Sequence, residues 1–543
     1  MNPESWSLWV DVLVSTLLYF ALIPGLFFAV PRTQSDDFSG VVVRGILWFL
    51  ALSTAILLIQ KLHPMGGLWL CSIIALYGWW QRQDGAKRFR DVWVYLVIWP
   101  ASLLPITQYD ALHYQLRIPR SIHRIGLSVV DGTDYQSQDI NALHWFLSAF
   151  GFSDKLLNVA AIAMQAFCLV LILRMFESYA PKSRIWKWAL LGMPLTVQLT
   201  QEAWVDISCS LMLMLFAWRC HKGCCGLLEA FLLGFMFHFK LALFIMALPM
   251  LLLMPWKSWL NSRWLGVAAL PILGNLVLIW GLTGYPLTPY IFTLPVHPEF
   301  HETFQSAKLL IDEAVHKDRW DVLWYFYGIF YMTCPLLLPA FILAFREVRV
   351  GLAFVVSFVL WMALFPQLRF TMYLVPAIFL IGALQIRKGR EAVCLWVLSL
   401  FLLFWRGAKA ETQFWKSHDL RCIAESRVSH PFSRFIGTDE KFYSEADWGW
   451  DYPGHAVAAS VLQFRYEYSS PWLEQFRRDG IRHVIVKDGY RDFFLNFGNA
   501  QSSYRIVFER LDRQRRKRID ELTRVSAVEA HCLDLTLYRL PNP

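Results

Sequence analysis

Apolar runs alternate with polar segments from residue 7 to residue 406, and their lengths suit membrane-spanning helices, several of them short. A spanning helix needs about 20 apolar residues, and fewer where neighbouring protein shields it. The pattern therefore predicts about 12–14 transmembrane helices. The candidate spans are 7–30, 42–60, 66–80, 92–106, 156–174, 188–200, 203–219, 225–238, 240–254, 264–282, 322–344, 350–366, 370–386 and 391–406.

Two long polar segments interrupt the predicted spans, at 107–155 and 284–321, and a polar tail follows at 407–543. Residues 1–406 are thus predicted to form a transmembrane module, and the tail a small C-terminal α/β domain. In the tail, 471–480 has the pattern of a helix closed by a glycine. Short strands are predicted at 481–486 and 536–540.

Composition supports a polytopic α-helical membrane protein. Of 543 residues, 56% are hydrophobic and only 17% are charged, whereas soluble domains carry about 25% charged residues. This composition excludes a single large soluble enzyme, a disordered chain and a small disulfide-rich scaffold.

The distribution of basic residues predicts the orientation of the chain in the membrane. The net charge is +9, but much of this surplus lies in one set of alternate short loops between apolar runs, so we expect no nucleic-acid partner. The opposite turns hold few, among them Lys61, Lys240 and Arg369. Basic loops stay in the cytoplasm, so both polar segments and the tail are expected to face outward. One long helix over 225–254 would reverse every later span; two spans fit the later loops better.

The first outward segment carries a stripe of polar side chains. Asp110, His113, Tyr114 and Arg117 follow helical spacing and would share one face, with Pro119 expected to end the turn. A carboxylate just outside a membrane helix is a candidate general base for an acceptor hydroxyl. The alternative is that Asp110 caps a helix and that the other three side chains form an ordinary hydrated face.

A second acidic site follows at Glu202 and Asp206, which lie four residues apart and hence on one helix face. Ionisable residues near membrane depth are energetically costly and point to function. The alternative is a hydrated helix cap at the interface.

Lys240 and Arg369 are isolated cations beside apolar runs on the predicted outward side. Both suit a lipid phosphate, which arginine can bind through two hydrogen bonds. The alternative is that each side chain extends to the interface to keep its charge in water. The chain shows no histidine spacing for a metal, no phosphate-binding glycine loop and no serine-nucleophile motif.

In their order along the chain, these segments resemble the GT-C class of membrane glycosyltransferases, in the bacterial branch related to protein O-mannosyltransferases and lipid A aminoarabinose transferases. The resemblance extends over most of the chain. The segments that carry it are 109–119, 143–158, 204–206, 239–240, 283–289, Arg369 with Tyr373 and Pro376, 483–486 and 537–540.

This resemblance implies a GT-C-like enzyme that transfers a sugar from a polyprenyl-phosphate donor to an extracytoplasmic acceptor, which could be an envelope glycan, a lipid or a protein. It implies a bacterial inner membrane location, with the loops and the tail facing the periplasm or exterior. Asp110 takes the position of the first-loop catalytic acid and Asp206 that of the second-loop acid. Lys240 and Arg369 would hold the donor phosphate.

The remaining candidates, His113, Tyr114, Arg117, Glu202 and Tyr373, are expected to bind substrate. Many relatives have two adjacent acids at the first site, where this chain has Asp110 followed by an alanine, which speaks against a metal-dependent or shared-acid mechanism. Because a monophosphate leaving group would face two cations, we expect neither a metal nor another cofactor. A polysaccharide polymerase or ligase, a lipid or sugar transporter or flippase, and a non-catalytic membrane scaffold are the alternatives. The expected enzyme requires one carboxylate, Asp110, and two cations distant in the sequence, Lys240 and Arg369, to converge in one cavity.

Overall fold

The structure is a computed structural model of the 543-residue chain. It describes most of the predicted helical region and the core of the tail. The described residues are 12–30, 37–81, 92–103, 116–125, 141–180, 205–283, 337–364, 368–385, 440–444, 455–457, 472–478, 480–487, 516–532 and 535–541, with single positions at 10, between 187 and 200, and between 432 and 436.

The described part of the chain is predominantly helical. Most of its helices lie in the apolar runs, whereas Arg117–Ile125 and Ala142–Leu147 lie in the polar segment 107–155. Those before residue 240 are α1 (Val12–Phe28), α2 (Phe38–Gln60), α3 (Gly66–Gln81), α4 (Val92–Ser102), α5 (Arg117–Ile125), α6 (Ala142–Leu147), α7 (Asp154–Tyr179), α8 (Asp206–His221) and α9 (Leu227–Phe239). Those after it are α10 (Leu241–Ala247), α11 (Trp256–Trp259), α12 (Ser262–Thr283), α13 (Leu337–Ala344), α14 (Val348–Leu364) and α15 (Val375–Leu384).

Two of the described helices are long and apolar enough to cross a membrane: Phe38–Gln60, and Lys155–Tyr179 within α7. In the 18-residue window of the second, 89% of residues are buried, against 33% for the first. The second therefore lies inside the helical bundle and the first at its periphery. The shorter apolar helices are Val12–Phe28, Leu227–Phe239, Leu241–Leu253, Ser262–Leu278, Val348–Trp361 and Phe370–Leu384.

Apolar side chains also point away from the bundle, and they do so at helical spacing. On α12, Leu270, Leu273, Val277 and Trp280 are all exposed, at positions i, i+3, i+7 and i+10. Comparable exposed stripes lie on α3 and α14. A helix with an exposed apolar stripe of this kind presents a face that water does not solvate well.

The chain breaks between α9 and α10 at one residue, Lys240, whose backbone is extended. The prediction of two helices over 225–254 is confirmed. No glycine or proline marks the break. A distant segment stabilises the break, because the Asn141 side-chain amide donates a 3.2 Å hydrogen bond to the Phe239 carbonyl.

Pro119 does not end a helix, as the sequence predicted, but lies in the first turn of α5. Proline fits there because the first amide groups of a helix have no partner within it. Asp110, His113 and Tyr114, on the expected stripe, lie outside the described residues.

The described part of the tail contains a five-stranded mixed sheet in the order β2-β1-β3-β5-β4. β1 (Lys441–Ser444) pairs in parallel with β2 (His455–Val457) and β3 (Ile481–Lys487), whereas β5 (Leu535–Arg539) is antiparallel to β3 and to β4 (Ala527–Cys532). The predicted helix is present as α16 (Trp472–Arg478), and Gly480 has a φ of 72°. Both predicted tail strands are confirmed, as β3 and β5.

Each face of this sheet has a buried apolar cluster, one with Phe442 and Leu537 and the other with Tyr443 and Tyr538. The alternation along each strand follows from the period of two in side-chain direction. Buried His483 contacts two carboxylates, with Nδ1 2.6 Å from Glu440 and Nε2 2.9 Å from Glu529.

Candidate functional site

Three separate segments of the bundle meet around the carboxylate of Asp206. Asp206 is the first residue of α8, Lys240 is the extended residue between α9 and α10, and Tyr373 ends the 3₁₀ turn Leu368–Tyr373. These residues are far apart in the sequence, so tertiary packing alone brings them together.

The Asp206 carboxylate is buried, with the residue 1% exposed, and it is paired on two sides. The Tyr373 hydroxyl donates a 2.6 Å hydrogen bond to Oδ1. The Lys240 ammonium lies 3.8 Å from the same oxygen. A buried charge needs such partners, because burying it alone is energetically very costly.

The Lys240 ammonium lies over an aromatic surface. Its Nζ is 4.5 Å from the centroid of the Phe370 ring and 5.9 Å from that of Tyr373. The two rings are stacked, with centroids 5.4 Å apart and planes 29° apart. A cation over the face of an aromatic ring is attracted by its quadrupole, so the rings stabilise the ammonium while leaving its hydrogen atoms available.

Lysine carries three N–H donors, and those of Lys240 are available to bind a ligand. At 3.8 Å the Asp206 contact is an ion pair but exceeds hydrogen-bond length. Among the described residues, no acceptor lies within hydrogen-bond distance of Nζ. The Lys240 side chain is 17% exposed, so a ligand can reach it. The arrangement suits an anion with several oxygen acceptors.

Backbone contacts fix the segments that carry these side chains. The Ser210 hydroxyl lies 2.8 Å from both the Asp206 and the Met372 carbonyl oxygens and joins α8 to the 3₁₀ turn. The hydrogen bond from Asn141 fixes the residue before Lys240. These contacts therefore fix the backbone segments that carry Asp206, Lys240 and Tyr373.

The structure brings together three of the predicted site residues: Asp206, Lys240 and Tyr373. Arg369 lies in the same 3₁₀ turn, directly before Phe370, but its side chain is outside the described residues. The same holds for the side chain of Arg117, which begins α5.

Asp110, His113, Tyr114 and Glu202 lie outside the described residues altogether, so the convergence of Asp110 with the two cations stays a prediction. Within the described ranges, no group of three or more His, Cys, Asp or Glu side chains could hold a metal ion.

Two residues of the site were missed in the sequence. Phe370 sits three positions before Tyr373 in the 3₁₀ turn, and this i, i+3 pair of aromatic residues beside an arginine was an available signal. Asn141 directly precedes the apolar run of α6 and accepts from the N–H groups of Leu143 and His144, as helix-capping residues do. Its second contact, to Phe239, has no signature in the sequence.

Comparison with protein-family models, with curated proteins and with solved structures finds no match to this chain. The resemblance to membrane glycosyltransferases therefore stays a prediction from the residues that carry it.

Proposed function

We propose that the protein is a polytopic membrane glycosyltransferase. It transfers a sugar from a polyprenyl-phosphate donor to an acceptor outside the cytoplasm, with Asp110 as the general base and with Lys240 and Arg369 holding the donor phosphate. Asp206 and Tyr373 fix Lys240 in place, and His113, Tyr114, Arg117 and Glu202 contact the substrates.

The exposed apolar stripes support the membrane part of this proposal. Residues 270–280 of α12 would be poorly solvated in water but match the hydrocarbon core of a bilayer. The shorter apolar helices have 10–17 residues, fewer than the roughly 20 that a full membrane crossing needs. In the proposed arrangement they lie beside longer helices, and 12–14 helices span a bacterial inner membrane.

One observation carries the enzymatic part: the ammonium of Lys240 is largely buried, lies over Phe370 and has no hydrogen-bond acceptor among the described residues. A phosphate monoanion or dianion offers the oxygen acceptors that this ammonium lacks. Because the site is partly shielded from water, the attraction to a phosphate is stronger than it would be in bulk solvent.

The proposed reaction is a single displacement. Asp110 accepts the proton of the acceptor hydroxyl, and the resulting oxygen nucleophile forms a bond to the anomeric carbon. The bond from that carbon to the phosphate oxygen breaks, and the polyprenyl phosphate leaves with the electron pair. Lys240 and Arg369 stabilise the negative charge that develops on the leaving group, and a positioned base contributes roughly 10²–10⁴ in rate.

The experiment compares the envelope lipids and glycans of cells that carry the wild-type gene, no gene, Asp110→Asn or Lys240→Met. Mass analysis should show one sugar-bearing species that is present with the wild-type gene and absent from the other three strains, which should retain unused donor lipid. Lys61→Met is the matched control, because Lys61 is another outward lysine by prediction but is exposed at the end of α2.

Identical glycans and lipids in all strains would overturn the proposal. A sugar-bearing species that persists in Asp110→Asn but not in Lys240→Met would retain the donor site and reject Asp110 as the base. Each variant must be present in membranes at the wild-type amount for the comparison to count.

A further inference from the structure

A buried histidine in the tail has a carboxylate at each of its two ring nitrogens. His483 lies in the central strand β3, and its Nδ1 is 2.6 Å from the carboxylate of Glu440. The other ring nitrogen, Nε2, is 2.9 Å from one oxygen of Glu529. The second oxygen of Glu529 accepts a 3.1 Å hydrogen bond from Arg539. These four side chains are called the His483 cluster below, and the proposed function makes no use of them.

The His483 cluster extends across most of the sheet. In the strand order β2-β1-β3-β5-β4, Glu440 directly precedes β1 on one side of His483, and Glu529 lies on β4, two strands away on the other side. Neighbouring strands are about 4.8 Å apart, so the contact with Glu529 passes over β5. Side chains thus connect β1, β3, β5 and β4 in addition to the backbone hydrogen bonds of the sheet.

A β-bulge in β4 directs Glu529 toward the histidine. Glu529 has no partner in the register of β4 and β5, which places the next residue, Ala530, opposite Leu537. Ala530 packs against the apolar cluster on the face of the sheet that carries His483. Two consecutive residues therefore lie on the same face, which the regular alternation of a strand does not allow. A bulge re-aims a side chain in this way.

The geometry of the cluster requires one more proton than a neutral histidine supplies. A neutral imidazole has one N–H donor, whereas an imidazolium has two. Both ring nitrogens of His483 lie within hydrogen-bond distance of a carboxylate oxygen, so either the ring carries two protons or one carboxyl group is protonated. With that proton the four side chains are neutral together. Without it they carry a net negative charge that is largely buried, which is energetically costly.

The other described surroundings of His483 do not supply this proton or compete for it. On the same face, Phe432, Ile436 and Phe442 form the apolar cluster, and the two buried tyrosines lie on the opposite face. No other charged side chain among the described residues forms a hydrogen bond or ion pair with His483. The other charged or histidine side chains described on these strands are exposed: Lys441, Arg482 and His531.

We propose that the His483 cluster makes the tail sensitive to pH, because it holds one proton while the sheet is closed and releases that proton when β4 separates. In the open sheet His483 is solvated, and a solvated imidazole is mostly neutral above about pH 6.5. The closed sheet then binds more protons than the open one, so the stabilisation is fully present below that pH and falls as the pH rises. The tail is predicted to face outward, where the pH of the surroundings acts on it. The inference does not rest on the proposed transfer.

The experiment measures amide hydrogen exchange by mass spectrometry in the full-length protein in detergent, over about pH 6–9, which includes and exceeds the ordinary imidazole range. Each rate is divided by the intrinsic exchange rate at that pH. In the wild type we expect opening of β4 to become up to about tenfold more frequent per pH unit above about pH 7, the slope for one released proton. Exchange in α8 should not follow this slope. Opening of β4 that does not change with pH would overturn the inference.

Glu529→Gln removes the need for the extra proton but keeps the contact. A neutral imidazole can donate to Glu440 through Nδ1 and accept from the introduced amide through Nε2, so we expect opening of β4 to be independent of pH. His531→Gln is the matched control, because His531 is an exposed histidine on the same strand that contacts Thr536, and it should keep the wild-type slope.

A wild-type slope in Glu529→Gln, or a lost slope in His531→Gln, would contradict the role of the His483 cluster. If Glu529→Gln does not fold, His483→Gln takes its place, since a glutamine holds no extra proton, and a flat profile is again expected. The slope of the wild-type protein tests the inference without any variant.

Discussion

Lys240 is held by charge on one side and by aromatic surface on the other. Asp206 keeps the ammonium from being an unpaired buried charge, and Phe370 contacts it without accepting a conventional hydrogen bond. Tyr373 contributes to both contacts, since its hydroxyl donates a hydrogen bond to Asp206 while its ring lies beside the Lys240 ammonium. The result is a lysine that is fixed in position yet retains donors for a ligand.

Replacing Asp206 by alanine should destabilise the protein strongly. The change leaves the largely buried Lys240 without its counter-ion and removes the acceptor of the Tyr373 hydroxyl. We expect a loss of about 3–5 kcal/mol in the free energy of unfolding, as for other broken buried pairs, measured by thermal or denaturant unfolding in detergent. Lys240→Met added to Asp206→Ala should recover much of the loss. Strictly additive losses would show that the two side chains do not interact.

Replacing Phe370 by leucine should weaken phosphate binding more than it weakens the fold. The change removes a cation–π contact worth about 0.5–2 kcal/mol, and the ammonium can then shift toward Asp206. We expect the Kd for polyprenyl phosphate to rise about 2- to 30-fold, whereas Phe370→Tyr keeps a low Kd. Phe379→Leu, in the buried part of α15, is the control for lost volume. An equal effect of both leucine variants on Kd would contradict this role of Phe370.

Among the elements of the fold, four helices are joined at one end of the bundle by charged and hydrogen-bonded side chains. Opposite the Lys240 site, by the predicted topology, Asp37 caps α2 and accepts a 2.7 Å hydrogen bond from Tyr179 at the end of α7. Arg219 in the last turn of α8 lies 3.6 Å from Asp37 and pairs with Glu229 in the first turn of α9. Four helices are thus joined at one end of the bundle.

Asp37 makes the joint between these helices sensitive to acid. Partial burial by itself raises the pKa of Asp37, but hydrogen bonds from Ser39, Tyr179 and the Gly40 N–H, with the charge of Arg219, bring that pKa below its ordinary value. A depressed carboxylate pKa stabilises the fold above the unfolded pKa of about 3.9, and this contribution disappears as pH falls through the folded pKa. In Asp37→Asn, thermal unfolding should depend less on pH below about pH 4 than in the wild type. An unchanged pH profile would contradict the prediction.

The sequence predicted the helices of the apolar runs with closely matching ends, but it did not predict the helices Arg117–Ile125 and Ala142–Leu147 inside the polar segment 107–155. Apolar periodicity located α2 and α7, and the glycine-closed pattern located α16 and β3, because local chemistry determines these elements. The prediction that Pro119 ends a helix was wrong, because proline is equally compatible with the first turn of a helix. The contacts of Lys240 with Phe370 and of Asn141 with Phe239 join distant segments, so no local pattern contains them.

For the whole molecule, the break at Lys240 bears on the predicted topology, because two membrane spans in place of one would place the tail on the predicted outward side. Reporter fusions test this arrangement. Alkaline phosphatase, which is active only outside the cytoplasm, should be active when fused after Lys61 or at the C-terminus, and a fluorescent protein should be bright after Lys222. Inactive phosphatase at the C-terminus, with an active fusion after Lys61, would contradict the predicted orientation of the tail.

The composition, the exposed stripes and the Lys240 site are compatible with the proposed function, in which a bundle of apolar helices presents an anion site to a lipid phosphate. The most direct test is the binding of sugar-free polyprenyl phosphate to the purified full-length protein, measured by native mass spectrometry. We expect Lys240→Met to weaken binding by about 10- to 100-fold, because a hydrogen bond to a charged group is worth about 1.5–3 kcal/mol, and we expect Lys61→Met to bind like the wild type. Equal binding by the wild type and Lys240→Met would contradict it.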